Sequence, residues 1–365
     1  MKIADIVSVL EQLAAPSLQE SYDNAGLITG HPNMDCTGVL CTLDATEQVI
    51  EEAKQLHCNM VVAHHPILFR PLKKITGKTY VERTIIKAIK DDVAIYAIHT
   101  NLDNVIEGVN DKIADKLNLV NRRVLSSKEK MLMKLYTFVP SAHAEKVRSA
   151  IFEAGAGQIG NYSECSFNTD GKGTFKAGEN TDPFVGEKGK RHEEDEVKME
   201  MILPAYIKQQ VVNALIKSHP YEEVAYDVIA LENEFGKTGS GLVGELQNEV
   251  GEEQFLFALK DAFNLHVIRH TPLLNKPVKT IALCGGAGSF LIDKAGAAGA
   301  DFYVTADVKY HEFFDADNRM VIADIGHWES EQFTIDLLHD FLQAEFPTFA
   351  VLKTGVKTNP VHYFT

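Results

Sequence analysis

The stretch "GVLCTLDATEQVIEEAKQLHCNMVVAHHP", residues 38–66, decides the fold because it contains a complete β-α-β unit. Its first part, "GVLCTLDAT", predicts a strand that ends in polar residues, and "NMVVAHHP" predicts a second, buried strand. The intervening "EQVIEEAKQLH" predicts a helix whose apolar face is formed by Val49, Ile50, Ala53 and Leu56. Two apolar strands joined by an amphipathic helix indicate parallel neighbours in one sheet.

The same alternation continues on both sides of a central interruption. "YVERTIIKAIKDD", "VAIYAIHTNLD" and "VNDKIADKLNL" extend it, and after residue 235 it resumes with "KTIALCGGAGSF", "ADFYVTAD", "RMVIADIGH" and a long final helix. Near-continuous apolar strands that alternate with helices are typical of a mostly parallel sheet with helices on both faces. We therefore predict one α/β core formed by residues 1–128 and 235–365.

Residues 130–232 interrupt this core with a different pattern. "MKLYTFVP" predicts a strand, "AEKVRSAIFEAGA" a helix, "YSECSFNTDGKGTFKAGENTDPFVGEKGKRHEEDEVKMEMILP" a long loop flanked by two strands, "AYIKQQVVNALIKSHP" a second helix and "EEVAYDVIALEN" a closing strand, which gives the order β-α-β-β-α-β. That order predicts an inserted ferredoxin-like α+β domain. The polar, Gly-rich stretch from Asp170 to Asp195 is expected to be a loop.

Composition excludes several classes of protein. The chain has 365 residues, 45% of them hydrophobic, and a formal net charge of −15, which disfavours nucleic acid as a partner. Its apolar runs are shorter than the roughly 18 residues that span a membrane, and its N-terminus lacks a signal-peptide pattern. The five cysteines form no C-x-x-C pair, so we expect free thiols and a cytoplasmic protein.

Polar side chains follow three of the predicted strands, at the sheet edge where open parallel sheets bind ligands. His64 and His65 follow "MVVA", Asp103 follows "VAIYAIHTNL", and His327 follows "MVIADIG". Glu331 lies four residues after His327, on the same helical face. These residues form the candidate metal-binding set.

Nitrogen and oxygen ligands of this kind suit zinc, iron or manganese, and carboxylates that bridge allow two ions at about 3.5–4 Å. Each pair alone also fits a purely structural role. Adjacent histidines such as His64 and His65 are often only hydrogen-bonded, and i,i+4 pairs such as His327 and Glu331 often face solvent. His99 is a candidate for orienting a ligand or transferring a proton, or it is an ordinary strand-end histidine.

Two Gly-rich stretches and one cysteine carry weaker signals of function. "CGGAGS" fits a structural turn or a contact to a substrate phosphate, and both readings stay open. "GKTGSGLVG" lacks the order of a P-loop and is interpreted as a turn. Cys284 is interpreted as a buried structural thiol rather than a nucleophile.

Taken together, several motifs resemble the Nif-three-like family, whose members are often labelled GTP cyclohydrolase 1 type 2 homologs. The resemblance covers residues 1 to about 128 and 235–365, and the insertion resembles the PII or CutA-like domain of the longer bacterial members. The motifs are "SYDNAGL", "AHHP", "HTNLD", "CGGAGS", "TADVKYHE" and "IGHWESE".

The resemblance implies a dinuclear metal site on His64, His65, Asp103, His327 and Glu331, with Glu331 as the bridge. It also implies a toroidal homohexamer whose metal sites face an internal cavity. We expect two divalent transition-metal ions per chain, zinc first, with iron or manganese as alternatives. The expected function is metal-dependent hydrolysis of a small nucleotide-like or phosphorylated substrate that the sequence does not identify. The alternative is a non-enzymatic metal-binding toroid with a regulatory or scaffolding role.

Overall fold

A computed structural model describes residues 1–364, and its chain divides into two units. The first unit joins Met1–Ser127 to the segment from Gly236 onward, and the second consists of Lys128–Phe235.

The elements of the first unit occur in two stretches of the chain. Before the second unit they are α1 (Ile3–Leu13), β1 (Gly26–Thr29), β2 (Val39–Asp44), α2 (Glu47–Gln55), β3 (Met60–His65), α3 (Tyr80–Lys90), β4 (Ala94–Ala97), α4 (Thr100–Asp103), α5 (Val109–Lys116) and β5 (Val120–Ser127).

The second unit contains six elements. These are β6 (Leu132–Pro140), α6 (Ala144–Glu153), β7 (Phe167–Lys176), β8 (Arg191–Pro204), α7 (Lys208–Ser218) and β9 (Tyr226–Leu231).

The first unit then resumes and carries the remaining elements. They are β10 (Gly239–Gly251), α8 (Glu252–Phe263), β11 (Arg269–His270), β12 (Pro277–Ala287), α9 (Ile292–Ala297), β13 (Phe302–Ala306), β14 (Val321–Asp324), α10 (His327–Glu331), α11 (Thr334–Glu345) and β15 (Val351–Lys353).

The strands of the first unit form two sheets. One has the order β1-β4-β3-β2-β15, and its strands pair in parallel except at β1. The other has the order β11-β14-β13-β12-β10-β5; β12, β13 and β14 pair in parallel, and the outer strands pair antiparallel. The fold is mixed α/β, as the sequence analysis predicts, with parallel strands at the centre of each sheet.

Successive side chains of the central strands point to opposite faces of each sheet, and both faces are buried. In β2, Val39 and Cys41 join a large core that includes residues of α1, α5, α8 and α11 and of the second sheet. Leu40 points the other way, into a core shared with α2 and α3. The far face of the second sheet packs against α9 through Ala282 and Ile322. Strands that are buried on both sides read as continuous apolar runs, which is the pattern seen in the sequence.

Two local predictions were wrong. Only the first two residues of "GKTGSGLVG" form a turn, because β10 begins at Gly239 and its Leu242 and Val243 are buried between β12 and β5. The predicted final helix is divided into α10 and α11, which are separated by Gln332 and Phe333.

The second unit is a four-stranded antiparallel sheet with the order β7-β8-β6-β9. Helices α6 and α7 pack on one face through a core that contains Val139, Val197 and Met199. The expected loop from Asp170 to Asp195 is shorter than predicted, because β7 and β8 pair continuously as far as Lys176 and Arg191.

Two further expectations concern membranes and cysteines. Among the described residues, no helix is long and apolar enough to cross a membrane. The five cysteines are free thiols, and four of them are buried.

Candidate metal centre

The carboxyl ends of the central strands of both sheets meet at a cavity of about 680 Å³ in the first unit. His65 and His99 line it from the side of the first sheet, and His327 and Glu331 line it from the side of the second. Ligand sites of open α/β sheets occur at such strand ends, so the location follows from the topology.

His64 ends a buried strand, and its imidazole is held by the backbone. Its Nδ1 donates to the carbonyl oxygen of Ile98 at 2.9 Å. Because Nδ1 carries the proton in this bond, Nε2 is left with its lone pair. That Nε2 is buried and has no hydrogen-bond partner in the described part of the chain. An orphaned imidazole nitrogen in the interior is what a metal ligand needs.

His65 is the next residue, and a carboxylate orients it. Its Nδ1 lies 2.8 Å from Oδ1 of Asp44, which ends β2 and pairs with His65 in the parallel register. Its Nε2 lies 3.0 Å from Oε2 of Glu331. A carboxylate behind the imidazole fixes the ring and strengthens it as a ligand.

His327 approaches from the other sheet in the same way. It begins α10 directly after Gly326, and its Nδ1 lies 2.7 Å from Oδ2 of Asp307. Its Nε2 lies 3.2 Å from Oε2 of Glu331 and 3.3 Å from Nε2 of His65.

Glu331 lies at the centre of the cluster, and its two oxygens face different neighbours. Oε2 faces His65 and His327, whereas Oε1 lies 3.9 Å from Nε2 of His64. Asp103 completes the second side, with Oδ1 3.6 Å from the same nitrogen of His64. Ligand atoms within 4.8 Å of one another form three groups: His65, His327 and Glu331; His64, Asp103 and Glu331; and His64, His65 and His99.

A glycine makes room for this carboxylate. Gly286, near the end of β12, has a φ of +60°, and a Cβ at this position would lie 2.4 Å from Oε1 of Glu331. Any other residue there would therefore displace the carboxylate as well as strain the backbone.

The pKa shifts in the metal-free site favour protonated imidazoles beside an ionised Glu331. Burial alone would raise the pKa of Glu331, but the close imidazoles of His327 and His65 hold it well below the usual range. Burial and the charge of Glu331 raise the pKa of Asp103 to about 7. Burial opposes protonation of His65 and His327, yet their carboxylate partners raise the pKa values to about 9 and about 11. Protons therefore occupy this site in the absence of a metal ion.

The residues fit a metal ion on chemical grounds. Nε2 of His64 and Oδ1 of Asp103 are buried without a hydrogen bond among the described residues. Leaving such atoms unpaired is unfavourable, and a cation that binds both would satisfy them. Imidazole and carboxylate ligands suit zinc, iron or manganese.

His99 stands beside the cluster and is oriented by Asp23. Its ring centroid lies 5.4 Å from that of His64 and 5.5 Å from that of His65. Nδ1 donates to Oδ1 of Asp23 at 2.9 Å, which leaves Nε2 as the acceptor. The Asp23 side chain is buried, and hydrogen bonds from His99 and Thr100 lower its pKa against the effect of burial.

The first four residues of the Gly-rich stretch "CGGAGS" end β12, and two of their backbone N–H groups are hydrogen-bonded within the protein. The backbone N–H of Gly285 donates to Asn110, and that of Gly286 donates to Ser330. These two donors are therefore already used, which favours the structural reading of the stretch. Burial raises the pKa of the Cys284 thiol, which fits a structural cysteine.

The sequence analysis missed the groups that orient the histidines. Asp44 and Asp307 each follow a strand, so the strand-end rule that selected Asp103 could have found both. Asp23 lies outside the helices and strands of the structure, within the quoted motif "SYDNAGL", where no periodicity marks it. The carbonyl of Ile98 is a backbone group and leaves no signal in the sequence.

Fold and site together define a class: a mixed α/β protein with histidine and carboxylate groups that could hold a metal ion between two sheets. Comparison with known proteins identifies the family. The model of the Duf34/NIF3 (NGG1p interacting factor 3) family matches residues 1–360, and the chain belongs to this family.

Two similar proteins carry the same name. The GTP cyclohydrolase 1 type 2 homolog of Halalkalibacterium halodurans is 43% identical over 332 residues, which are 90% of this chain and 89% of that protein. The homolog of Bacillus subtilis is 39% identical and covers 88% and 87%. The crystal structure of a Bacillus cereus protein related to NIF3 superposes with a TM-score of 0.87 at 38% identity, covering 100% and 99%.

Proposed function

We propose that this protein is a dinuclear metal-dependent hydrolase. The observation that carries the proposal is the position of Glu331, whose two oxygens face two of the three overlapping groups of ligand atoms. In one group it joins His64 and Asp103, and in the other it joins His65 and His327. A carboxylate shared by both groups reduces the repulsion between two cations held close together.

Each side chain has a separate task in this proposal. Divalent ions supply Lewis acidity, which polarises an electrophile and makes water more acidic. Asp44 and Asp307 keep the ligating nitrogens of His65 and His327 directed into the cavity. His99 accepts or returns a proton at Nε2, since its Nδ1–H is held by a carboxylate.

The cavity suggests the class of substrate. Its volume of about 680 Å³ lies within the usual range of small-molecule sites. Tyr22, Phe69, Phe290 and Trp328 offer ring faces along its lining, and Arg269 adds a cationic group. A flat ring that carries an anionic group would use both features, so we propose a nucleotide-like or phosphorylated substrate. The relatives' name, GTP cyclohydrolase 1 type 2 homolog, is consistent with this class.

A substrate screen tests the proposal. Protein loaded with zinc, iron or manganese is incubated with a panel of nucleotides and phosphoesters, and products are separated by chromatography. We expect turnover by the wild type and by the control His339→Ala, because His339 bonds to Asp340 and does not line the cavity. His64→Ala should lose both the metal and the activity.

A negative screen would favour the alternative function. If fully metal-loaded protein converts none of the compounds, a non-enzymatic metal-binding scaffold becomes the better account. We also propose a cytoplasmic homohexamer on the basis of family resemblance. Light scattering should then give a mass near six times the chain mass of 40.4 kDa.

The domain organisation is part of the same proposal. We propose that residues 1–128 and 235–365 form the metal-binding core and that residues 130–232 form an inserted ferredoxin-like domain. Deletion of 130–232, with a short linker in its place, should leave a folded protein with unchanged metal content. Aggregation together with loss of the metal would contradict this division.

A further inference from the structure

A second cavity, of about 650 Å³, lies within the second unit and takes no part in the proposed hydrolysis. Strands β7 and β8, the residues between them and the segment after α7 contribute its lining. Its volume falls in the usual range of small-molecule sites, roughly 300–1,000 Å³. The chemistry of its lining therefore indicates what it could bind.

The cavity lies on the sheet face opposite α6 and α7. Val197 and Met199 point into the core with these helices, and strand alternation directs Glu196 and Lys198 to the other side. Phe138 pairs with Lys198 across the sheet and faces the same way.

Aromatic rings form much of the cavity wall. Phe138, Phe175, Phe184 and Tyr221 all line it. The ring centroid of Tyr221 lies 6.1 Å from that of Phe175 and 6.4 Å from that of Phe184. Faces of aromatic rings attract cations as well as apolar groups, because the ring quadrupole is negative on its face.

A buried carboxylate lies among these rings. Glu196 is only 8% exposed, and its Oε1 accepts a hydrogen bond from the Tyr221 hydroxyl at 2.8 Å. Within the described part of the chain, Oε2 receives no hydrogen bond. A Cβ on Gly173 would lie 2.1 Å from this Oε2, so the glycine leaves space for the carboxylate. An ionised carboxylate that is largely removed from water attracts a cationic group strongly.

The lining contains three lysines, Lys172, Lys176 and Lys198; among the described residues none forms an ion pair with Glu196, and two of them are paired elsewhere. Lys172 binds Glu193 at 2.7 Å, and Lys198 binds Glu200 at 2.8 Å. Glu193 and Glu200 lie outside the lining of the cavity.

The other carboxylates of the lining add negative charge. Four further acids line the cavity beside Glu196: Asp170, Asp182, Glu222 and Glu223. With two of its lysines engaged elsewhere, the cavity presents an excess of negative charge to a ligand.

We propose that this cavity binds a small organic cation, whose ammonium group lies against Glu196 and whose apolar part contacts the surrounding rings. The combination of ring faces with a carboxylate favours a primary or quaternary amine over an inorganic ion. A metal ion would require several convergent ligand atoms, whereas Glu196 offers one free oxygen.

The test compares two probes of the same shape. Choline and its neutral isostere 3,3-dimethyl-1-butanol are titrated into the full-length, metal-loaded protein, and binding is followed by ligand-observed NMR. We expect choline to bind with a Kd about tenfold or more below that of the alcohol, since the charge is the main difference between them. Equal affinities, or no binding of choline, would overturn the proposal.

Two variants test the charge and the volume of the cavity separately. Glu196→Gln removes the charge at nearly constant volume, and Gly171→Val fills the cavity beside it. Gly171 pairs with Glu196 in the sheet, and a Cβ there would meet no atom within 4 Å, so valine should be tolerated. Each variant should weaken choline binding about tenfold or more.

A matched control separates local charge from overall charge. Glu187→Gln removes an exposed carboxylate that pairs with Lys190 and does not line the cavity. It should bind choline as the wild type does, and circular dichroism should report the same fold for all variants. Unchanged choline binding in folded Glu196→Gln, or a gain of inorganic phosphate binding without loss of choline binding, would refute the role of this carboxylate.

Discussion

Replacement of Glu331 by glutamine examines the metal centre at the residue that both ligand groups share. The carboxylate is 4% exposed and lies 3.0 Å from Nε2 of His65 and 3.2 Å from Nε2 of His327. Because this carboxylate is buried, water cannot easily solvate the cations that the substitution leaves without their carboxylate partner. Glutamine keeps the size of the side chain but offers a single, neutral oxygen as a ligand.

The magnitude follows from the burial. Removal of one partner from a buried charged pair costs about 3–5 kcal/mol. At about 1.4 kcal/mol for each factor of ten, the Kd of the weaker ion should rise by roughly a hundredfold to a few thousandfold. One ion should therefore be lost first, while the other remains bound by His64 and Asp103 or by His65 and His327.

Metal-to-protein ratios measure this loss. Wild type and Glu331→Gln are reconstituted, desalted and analysed by elemental analysis, with circular dichroism to confirm folding. We expect about two ions per wild-type chain and about one in the variant. Glu329→Gln is the matched control, because Glu329 lies on the same helix and bonds to Asn359 rather than to the histidines. Equal ratios in wild type and Glu331→Gln would refute the bridging role.

Three further predictions concern neighbouring groups. His99→Gln should keep the metal content and lower any hydrolytic rate by roughly 10²–10⁴-fold; loss of metal in this variant would make His99 a ligand instead. Gly286→Ala should lower the thermal midpoint and the metal content together, because its methyl group would lie 2.4 Å from a carboxylate oxygen; unchanged values for both would contradict the steric argument. Metal uptake should release protons and strengthen as pH rises from 7 towards 9, since His65 and His327 have pKa values of about 9 and about 11 in the metal-free protein and bind metals only when neutral. Calorimetry in two buffers with different ionisation enthalpies measures this release, and a heat that does not depend on the buffer would count against it.

Much of the candidate site could be predicted because its residues follow apolar strands. His64, Asp103 and His327 follow strands of a pattern that indicates parallel pairing, and the carboxyl ends of parallel strands share an edge. The i,i+4 spacing then places Glu331 beside His327. The structure brings all of these groups together.

The number of sheets was less accessible to prediction. Strands that are buried on both faces look alike whether they belong to one sheet or to two. The antiparallel strand β10 has a Gly-rich start that resembles a turn, and only its burial between β12 and β5 identifies it. Asp23 likewise depends on a tertiary contact with His99 and Thr100, far away in the chain.

The position of Glu331 between the two sheets has a consequence for biosynthesis. Its carboxylate meets His65, a residue 266 positions earlier in the chain. A ribosome therefore completes the first sheet's histidines long before it supplies the carboxylate that joins them. We expect the nascent chain to hold metal weakly until its last segment has emerged and folded against the first sheet.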